Sequence, residues 1–403
     1  MLMKQRLIKQ RDRKIDWDSD TTADILNKIH AADSASGYGV VETLFGEEYY
    51  LCVAHEDSIL NGGHTGDIIA QRNGAICFAT SDGAVWISHL KKKNPDSRQP
   101  SKNFKLPAAM LLQGQLKDVP ESPADFLCPE GSKTGSKTFR EIWYEESNMV
   151  GYLHFDFHNG AMSTEQCIRL KEAWRYAVSR PTRVIVLMGG TDFWSNGIHL
   201  NIIEAAASPA DESWRNINAI NDLVLEIINT TSRLTVSALW GSAAAGGAIM
   251  SLAADKVWAR AGCVVNPHYK AMGLFGSEYW TYLLPKRVGV GGALELAESM
   301  LALGMAEAKR IGLIDEILPD AYDDFTIAVK ASAESLAHSV DYNRLVSAKK
   351  KTRKSDEAVK PLHAYREAEL QKMHAQFYDA NSAYHQLRHR FIHKIKPSET
   401  GVL

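Results

Sequence analysis

Two runs of small residues, each directly after a short apolar segment, constrain this chain more than any other feature. The first is Met188-Gly189-Gly190-Thr191-Asp192-Phe193-Trp194-Ser195-Asn196-Gly197-Ile198-His199-Leu200, which follows the apolar stretch Arg183 to Met188. The second is Gly241-Ser242-Ala243-Ala244-Ala245-Gly246-Gly247, which follows Leu234 to Leu239. The first apolar stretch, Val184 to Met188 without a polar residue, reads as a buried strand, and the second, interrupted by Thr235 and Ser237, reads as a further strand. Small residues then let a ligand approach the backbone closely, and amides at a helix N-terminus are donors carrying partial positive charge. One such loop alone is more often tight helix packing than a site. Two of them brought together can hold a single developing oxyanion.

The surrounding pattern places both loops in an α/β region. Trp143 to Phe157 reads as a hairpin, Ser163 to Ser179 as a helix and Arg183 to Met188 as a strand. Ala219 to Asn229 reads as a helix, Leu234 to Leu239 as a strand, Ala243 to Ala254 as a helix and Lys256 to Ala259 as a strand. That alternation predicts stacked ββα units with parallel pairing. The first part of the chain differs. After Asp20-Thr21-Thr22-Ala23-Asp24, a capping sequence for a short helix with Ile25, Leu26 and Ile29 inward, come short β-rich runs at 48–53, 66–70, 75–80 and 84–89. Arg72-Asn73-Gly74 and Ser81-Asp82-Gly83 are hairpin signals between them. A small barrel or open antiparallel sheet is expected. Pro120, Pro123, Pro129, Gly131 and Gly135 mark a boundary segment. From about Phe325 onward the chain is helical and charged, with Leu362, Tyr365, Leu370, Met373, Phe377, Tyr384 and Leu387 near a helical period, so it reads as a helical cover or an oligomer contact.

Composition narrows the function classes. The chain is 45% apolar, and 46 basic against 48 acidic residues leave a formal net charge of -2, so no bulk basic field is available for nucleic acid or an acidic membrane. Cys52, Cys77, Cys128, Cys167 and Cys263 are odd in number and far apart, which suggests neither a disulfide framework nor a paired metal site. No metal is expected. His154 and His158 lack a further ligand at metal spacing, and the run Lys349 to Lys354 reads as readily as a solvated helix face as a contact for phosphates. Residues 1–14 are basic without the apolar core of a secretory signal, and no apolar stretch reaches the roughly 18 residues that span a bilayer. The expected location is cytoplasmic.

With both loops in view, residues from about Arg140 to Ser339 resemble the crotonase (enoyl-CoA hydratase/isomerase) superfamily. The resemblance implies an acyl-CoA substrate, with the backbone amides of Ile198 and Gly246 forming an oxyanion hole for the thioester oxygen. Asn196, Gly197, His199, Ala244, Ala245 and Gly247 would line the substrate and CoA. Hydratases carry two glutamates where this chain has Ile249 and Tyr269, so simple hydration is not expected. Tyr269 and Glu278 are the candidate catalytic residues, able to divide proton handling, although a structural hydroxyl and a helix N-terminal carboxylate are the plainer readings. Phe193, Trp194, Tyr279 and Trp280 could make a dry wall around them, or ordinary core.

A closer resemblance, to the HypX/HoxX hydrogenase maturation factors, rests on Asp192 through Leu200, Glu212-Ser213-Trp214-Arg215-Asn216-Ile217-Asn218, and Gly276 through Pro285. Asp16 through Leu90, including Lys28 to Asp33 and Asp82 to Ile87, is similar to that family's formyltransferase C-terminal subdomain. The architecture implied is α/β: a small OB-like β-rich domain at 16–117, a linker at 118–138, a crotonase-fold domain at 139–340 and a helical segment at 341–403. The chemistry implied is the splitting of formyl-CoA into carbon monoxide and CoA, with coenzyme A as part of substrate and product. The family's folate-binding domain has no counterpart before Asp16, so folate is not an expected ligand of this chain. Formyl-CoA would come from a separate source or from hydrogenase maturation machinery. A homo-oligomer is a further expectation. The alternatives are hydrolysis, decarboxylation or isomerisation of another acyl-CoA, or a non-catalytic CoA-binding protein.

Overall fold

The central strands of the second half of the chain are buried along their whole length, with successive side chains pointing to two covered faces, and this organises the architecture. The structure is a computed structural model describing residues 9–33, 39–93, 103–123 and 137–395. Two units divide them, the first running through 123 and including 137–140, the second beginning at Glu141. Of the expected linker at 118–138, residues 124–136 lie outside the described residues, as does Cys128.

In the first unit helix α1 (Thr22–Asp33) is followed by β1 (Val40–Leu44), β2 (Glu47–Asp57), β3 (Ile68–Arg72), β4 (Ala75–Ala79), β5 (Ala84–Lys92), β6 (Leu106–Pro107) and α2 (Ala108–Leu111). Thr21 and Asp24 cap α1 reciprocally, each side chain accepting from the other's amide, at 3.1 and 3.2 Å. The strands form an antiparallel sheet in the order β1-β2-β5-β4-β3, with β6 against β5. Asn73 and Gly74 adopt φ of 49° and 86° between β3 and β4, the turn that their sequence predicts. At its centre Asp57, 1% exposed, accepts from Trp86 Nε1 and Thr138 Oγ1 at 2.6 Å and from the amides of Ile59 and Leu60 at 2.7 Å. Burial alone pushes this carboxyl up, but the four donors outweigh it and hold it below its ordinary value. Asp57→Ala strands those donors and is expected to cost about 3 kcal/mol in denaturant unfolding. The stability Asp57 contributes is fully present above the unfolded carboxyl pKa, about 4, and is lost as pH falls through the lower folded value.

The second unit opens with the expected hairpin, β7 (Ile142–Ser147) and β8 (Val150–Phe155), then β9 (Ala161–Met162), α3 (Thr164–Ser179) and β10 (Val184–Leu187). The first loop contains β11 (Phe193–Ser195) and β12 (Gly197–Ile198), and leads to α4 (Leu200–Ala205) and α5 (Pro209–Asn229). Next come β13 (Leu234–Leu239), β14 (Ser242–Ala244), α6 (Ala245–Ser251), β15 (Lys256–Arg260) and β16 (Val264–Asn266). The chain continues with α7 (Trp280–Ser299), β17 (Leu303–Gly304), α8 (Met305–Arg310) and β18 (Glu316–Leu318). Four helices end it: α9 (Tyr322–His338), α10 (Tyr342–Val359), α11 (Leu362–Tyr378) and α12 (Ala383–Ile392).

The main sheet runs β18-β15-β13-β10-β8-β7, parallel except for the hairpin. Leu153, Ile185, Leu187 and Leu239 pack on one side with Leu170, Trp174, Ile220 and Leu223 of α3 and α5. Tyr152, Val184, Val186, Val236 and Ala238 pack on the other with Phe325, Val329, Ala333 and Tyr342 of α9 and α10. Coverage of both faces is why every residue of β13 is buried, Thr235 and Ser237 included. A smaller sheet, β11-β14-β16-β17, is built from the loops themselves. The expected helix over 243–254 is therefore corrected: Ser242 to Ala244 form a strand, because Ala243 and Ala244 pair in parallel with Val265 and Asn266, and the helix is confined to 245–251.

Candidate active site

The small sheet brings the two loops into contact. Gly197 has φ of +80°, a conformation that favours glycine, and a Cβ there would lie 3.2 Å from both Cα and N of Gly246 and 3.4 Å from N of Gly247. Gly247 in turn sits beneath Ser195, whose carbonyl oxygen would be 2.2 Å from an added Cβ. The glycines are thus required for two backbones to pass at van der Waals distance. Ile198 directly follows Gly197 and Gly246 is the residue that Gly197 meets, with Ala244 and Ala245 leading into it and φ of +46° at Ala245.

A third segment closes the site. After β16 the chain turns through Tyr269 and returns along Gly276, Ser277 and Glu278. Gly276 has φ of +93°, and a Cβ there would fall 2.1 Å from the Tyr269 ring. The ring packs across this glycine, and Tyr269 Oη donates to Glu278 Oε2 at 2.6 Å. The Glu278 carboxylate lies against the second loop, since a Cβ on Gly246 would meet Glu278 Oε1 at 2.2 Å. The expected pair, Tyr269 and Glu278, is therefore assembled beside Gly246. Gly246→Ala is expected to push the carboxylate out of its contact with Tyr269, seen as a lengthened Oη to Oε2 distance in a crystal structure of the variant. An unmoved carboxylate would mean that the loop gives way instead.

The conformation carrying Glu278 is costly and firmly held. Glu278 and Tyr279 are consecutive non-glycine residues with φ of 60° and 61°, a strain that persists only where its surroundings impose it. Asn221 of α5 imposes it from one side: its Oδ1 accepts from the Glu278 amide at 2.7 Å, and its Nδ2 donates to Ser277 Oγ at 2.7 Å. Glu369 of α11 imposes it from the other, accepting from the amides of Tyr279 and Thr281 at 3.0 and 2.9 Å and from Thr281 Oγ1 at 2.5 Å. Met373 and Gln376 of the same helix accept from the amides of Gly276 and Phe275. Asn221 and Glu369 were not anticipated as site residues, yet a signal existed. Each occupies a slot on the apolar stripe of its helix, between Ile217 and Val224 and between Leu362 and Met373.

The electrostatics follow from burial. Glu278 is 1% exposed, and desolvation pushes its carboxyl up to about 7 despite the hydrogen bond from Tyr269. Desolvation, then the neighbouring carboxylate, pushes the Tyr269 phenol well above 10. At neutral pH the carboxyl is near its midpoint and the phenol remains a proton donor.

The other expected residues play different parts. Asn196 uses its side chain to donate to the Asn159 carbonyl at 2.7 Å, fastening the first loop. His199 caps α4, its Nδ1 accepting from the Ile202 amide at 3.3 Å while its own amide donates to Asn216. Burial lowers its pKa to about 4, so it is neutral. Trp194 is core, edge-on to Phe155, whereas Phe193 is 38% exposed and forms no dry wall. Lys349 pairs with Asp255 and Arg353 donates to Tyr282, which leaves only Lys350, Lys351 and Lys354 of that basic run exposed.

With this geometry in hand, comparison with known proteins is decisive. A model of the Enoyl-CoA hydratase/isomerase family matches residues 146–400. The chain belongs to the enoyl-CoA hydratase/isomerase family. A second model, Formyl transferase, C-terminal domain, matches residues 7–105 of this family member. It is homologous to the hydrogenase maturation factor HoxX of Bradyrhizobium diazoefficiens, at 46% identity over 97% of this chain and 66% of that protein. The crystal structure of HypX from Aquifex aeolicus in complex with tetrahydrofolic acid superposes with a TM-score of 0.90 at 42% identity, covering 97% of this chain and 67% of that one. This family member thus spans about two thirds of the length of those relatives. An enoyl-CoA hydratase from Bacillus halodurans shares the fold, with a TM-score of 0.54 at 23% identity over 62% of this chain and 99% of that one. Among the described residues, no helix is long and apolar enough to cross a membrane.

Proposed function

We propose that this protein is a CoA-thioester enzyme that converts formyl-CoA to carbon monoxide and CoA. The observation that carries the reading is the buried Tyr269–Glu278 pair set against Gly246 of the second loop. In this reading the amides of Ile198 and Gly246 hold the thioester oxygen and aim the formyl hydrogen at Glu278. The position that bears a hydratase glutamate is filled by Ile249, which is fully buried and cannot activate water.

The step balances with these groups alone. The Glu278 carboxylate takes the formyl proton, and the C–H electron pair becomes the carbon lone pair of CO as the C–S bond breaks. The departing thiolate takes the Tyr269 hydroxyl proton, and the protonated Glu278 returns a proton to Tyr269 across their 2.6 Å contact. A phenol held well above 10 does not stay ionised, so the proton moves through it and leaves the pair as it began. Burial of Ser277 and Glu278 keeps water from diverting the formyl group to formate. The relationship to HypX and HoxX supports a place for this product in hydrogenase maturation.

Because Glu278 acts as the base, its ionised form is the active one. kcat/KM for formyl-CoA is expected to fall as pH drops through about 7, and Glu278→Gln is expected to remove that limb from the residual rate. A wild-type profile flat from pH 5.5 to 8 would place the base elsewhere. The reading itself is tested by supplying formyl-CoA to the purified protein and following free thiol and gaseous CO together. Equal yields are expected. Thiol release accompanied by formate would mean hydrolysis on the same groups, and turnover only of larger acyl-CoA substrates would mean another reaction of the family.

A further inference from the structure

We propose that Glu204, His389 and His393 form a binding site for one divalent transition-metal ion, with zinc the best chemical match. His389 and His393 are four residues apart at the end of α12, a spacing that puts both imidazoles on one helical face. That face meets the end of α4, which supplies Glu204. Oε1 of Glu204 lies 2.7 Å from His389 Nδ1 and 3.4 Å from His393 Nε2, and the three ligand atoms all fall within 4.8 Å of one another. Ligand atoms bound at about 2.0–2.1 Å in a tetrahedron stand roughly 3.3 Å apart. The contact to His393 already has that spacing, and the contact to His389 needs to open by about 0.6 Å.

The surroundings are those of a metal ligand set. Arg388 Nε, on a side chain 6% exposed, donates to Glu204 Oε2 at 2.8 Å. It fixes the carboxylate and leaves Oε1 facing the imidazoles, the kind of outer hydrogen bond that orients a ligating carboxylate. Side chains of His393 and Glu204 are 10% and 11% exposed while His389 is 48% exposed, so an ion has a route in and water has access to a fourth position. Two imidazoles and one carboxylate suit zinc, and also cobalt or nickel, rather than magnesium or calcium. Tyr384 on the same helix holds α12 to α5 through Ser213 at 2.9 Å, so little reorganisation is needed to place the ligands.

The consequence for the protein is a staple. α4 begins at Leu200, two residues beyond Ile198 and capped by His199, so an ion at its far end would join the C-terminal helix to the element that follows the first loop.

The test uses the full chain without a tag, stripped with a chelator and titrated with Zn²⁺ by calorimetry and with Co²⁺ by visible absorption. Saturable binding at one ion per chain is expected, with the intense d–d bands of a four-coordinate Co²⁺ site. His393→Ala and His389→Gln are each expected to weaken binding at least about tenfold and to remove those bands, while His385→Ala, one turn earlier, leaves both unchanged. His389 is exposed enough that its glutamine variant should fold normally, as circular dichroism would verify. Absence of saturable binding, or equal binding by wild type and both ligand variants, would overturn the proposal and leave Glu204 an ion-pair partner of Arg388 and the imidazoles. Neither outcome bears on the formyl-CoA reading.

Discussion

Glu278→Gln and Tyr269→Phe are each expected to lower CO release from formyl-CoA by about 100- to 10,000-fold while changing CoA affinity little. Both substitutions nearly preserve volume and remove one proton-handling group, whereas the loop amides belong to the backbone and remain. The double variant should be little worse than either single one, because the 2.6 Å pair passes a single proton and either loss interrupts it. Steady-state rates together with calorimetric titration of CoA separate the two effects. Full activity in either single variant would remove that residue from the chemistry, and a parallel loss of CoA binding would recast it as structural. Thermal unfolding provides an independent check, since replacing a buried carboxyl held near 7 by an amide should not destabilise the fold at neutral pH.

Glu369→Ala is expected to act on the same reaction from a helix far away in sequence. The substitution strands the amides of Tyr279 and Thr281 and the Thr281 hydroxyl in a buried site, a loss of about 3 kcal/mol in unfolding free energy. It also removes one of the two restraints on the positive φ of Glu278 and Tyr279, so the loop should relax and carry the carboxylate away from Tyr269. Turnover should drop at least tenfold with the protein still folded, and the pH limb near 7 should move, because the Glu369 charge helps raise Glu278. Unchanged turnover in a destabilised variant would confine Glu369 to a structural role. Burial pushes the Glu369 carboxyl itself up to about 7. The folded state therefore binds protons that the unfolded state has lost between about pH 4.5 and 7, and these two carboxyls make stability fall as pH rises through that window.

The site was legible in sequence where it depends on local pattern. Val184 to Leu187, short and rich in β-branched residues, and Leu234 to Leu239, which holds only Thr235 and Ser237 among apolar residues, read as strands, and the glycines after them marked loops that must pass closely. What escaped was set by pairing across the fold. Ser242 to Ala244 have no β-forming character, and they become a strand because Val265 and Asn266 lie beside them. Asn196 and His199 sit in the first loop like ligand contacts, but Asn159 and Asn216 engage them from 37 and 17 residues away, and His199 also caps the helix that follows it through Ile202. Asn221 and Glu369 look like ordinary polar positions until the helical stripe each interrupts is set against the loop it faces. His389 and His393 show a ligand spacing, but the carboxylate that gives it meaning stands 185 residues earlier.

Doubly labelled formyl-CoA, carrying ¹³C and deuterium at the formyl carbon, tests the central claim most directly. The account predicts ¹³CO as the carbon product, free of deuterium, in equal amount to CoA, with single-turnover release slowed several-fold relative to the protio substrate. Labelled formate with deuterium retained, and no ¹³CO, would contradict it.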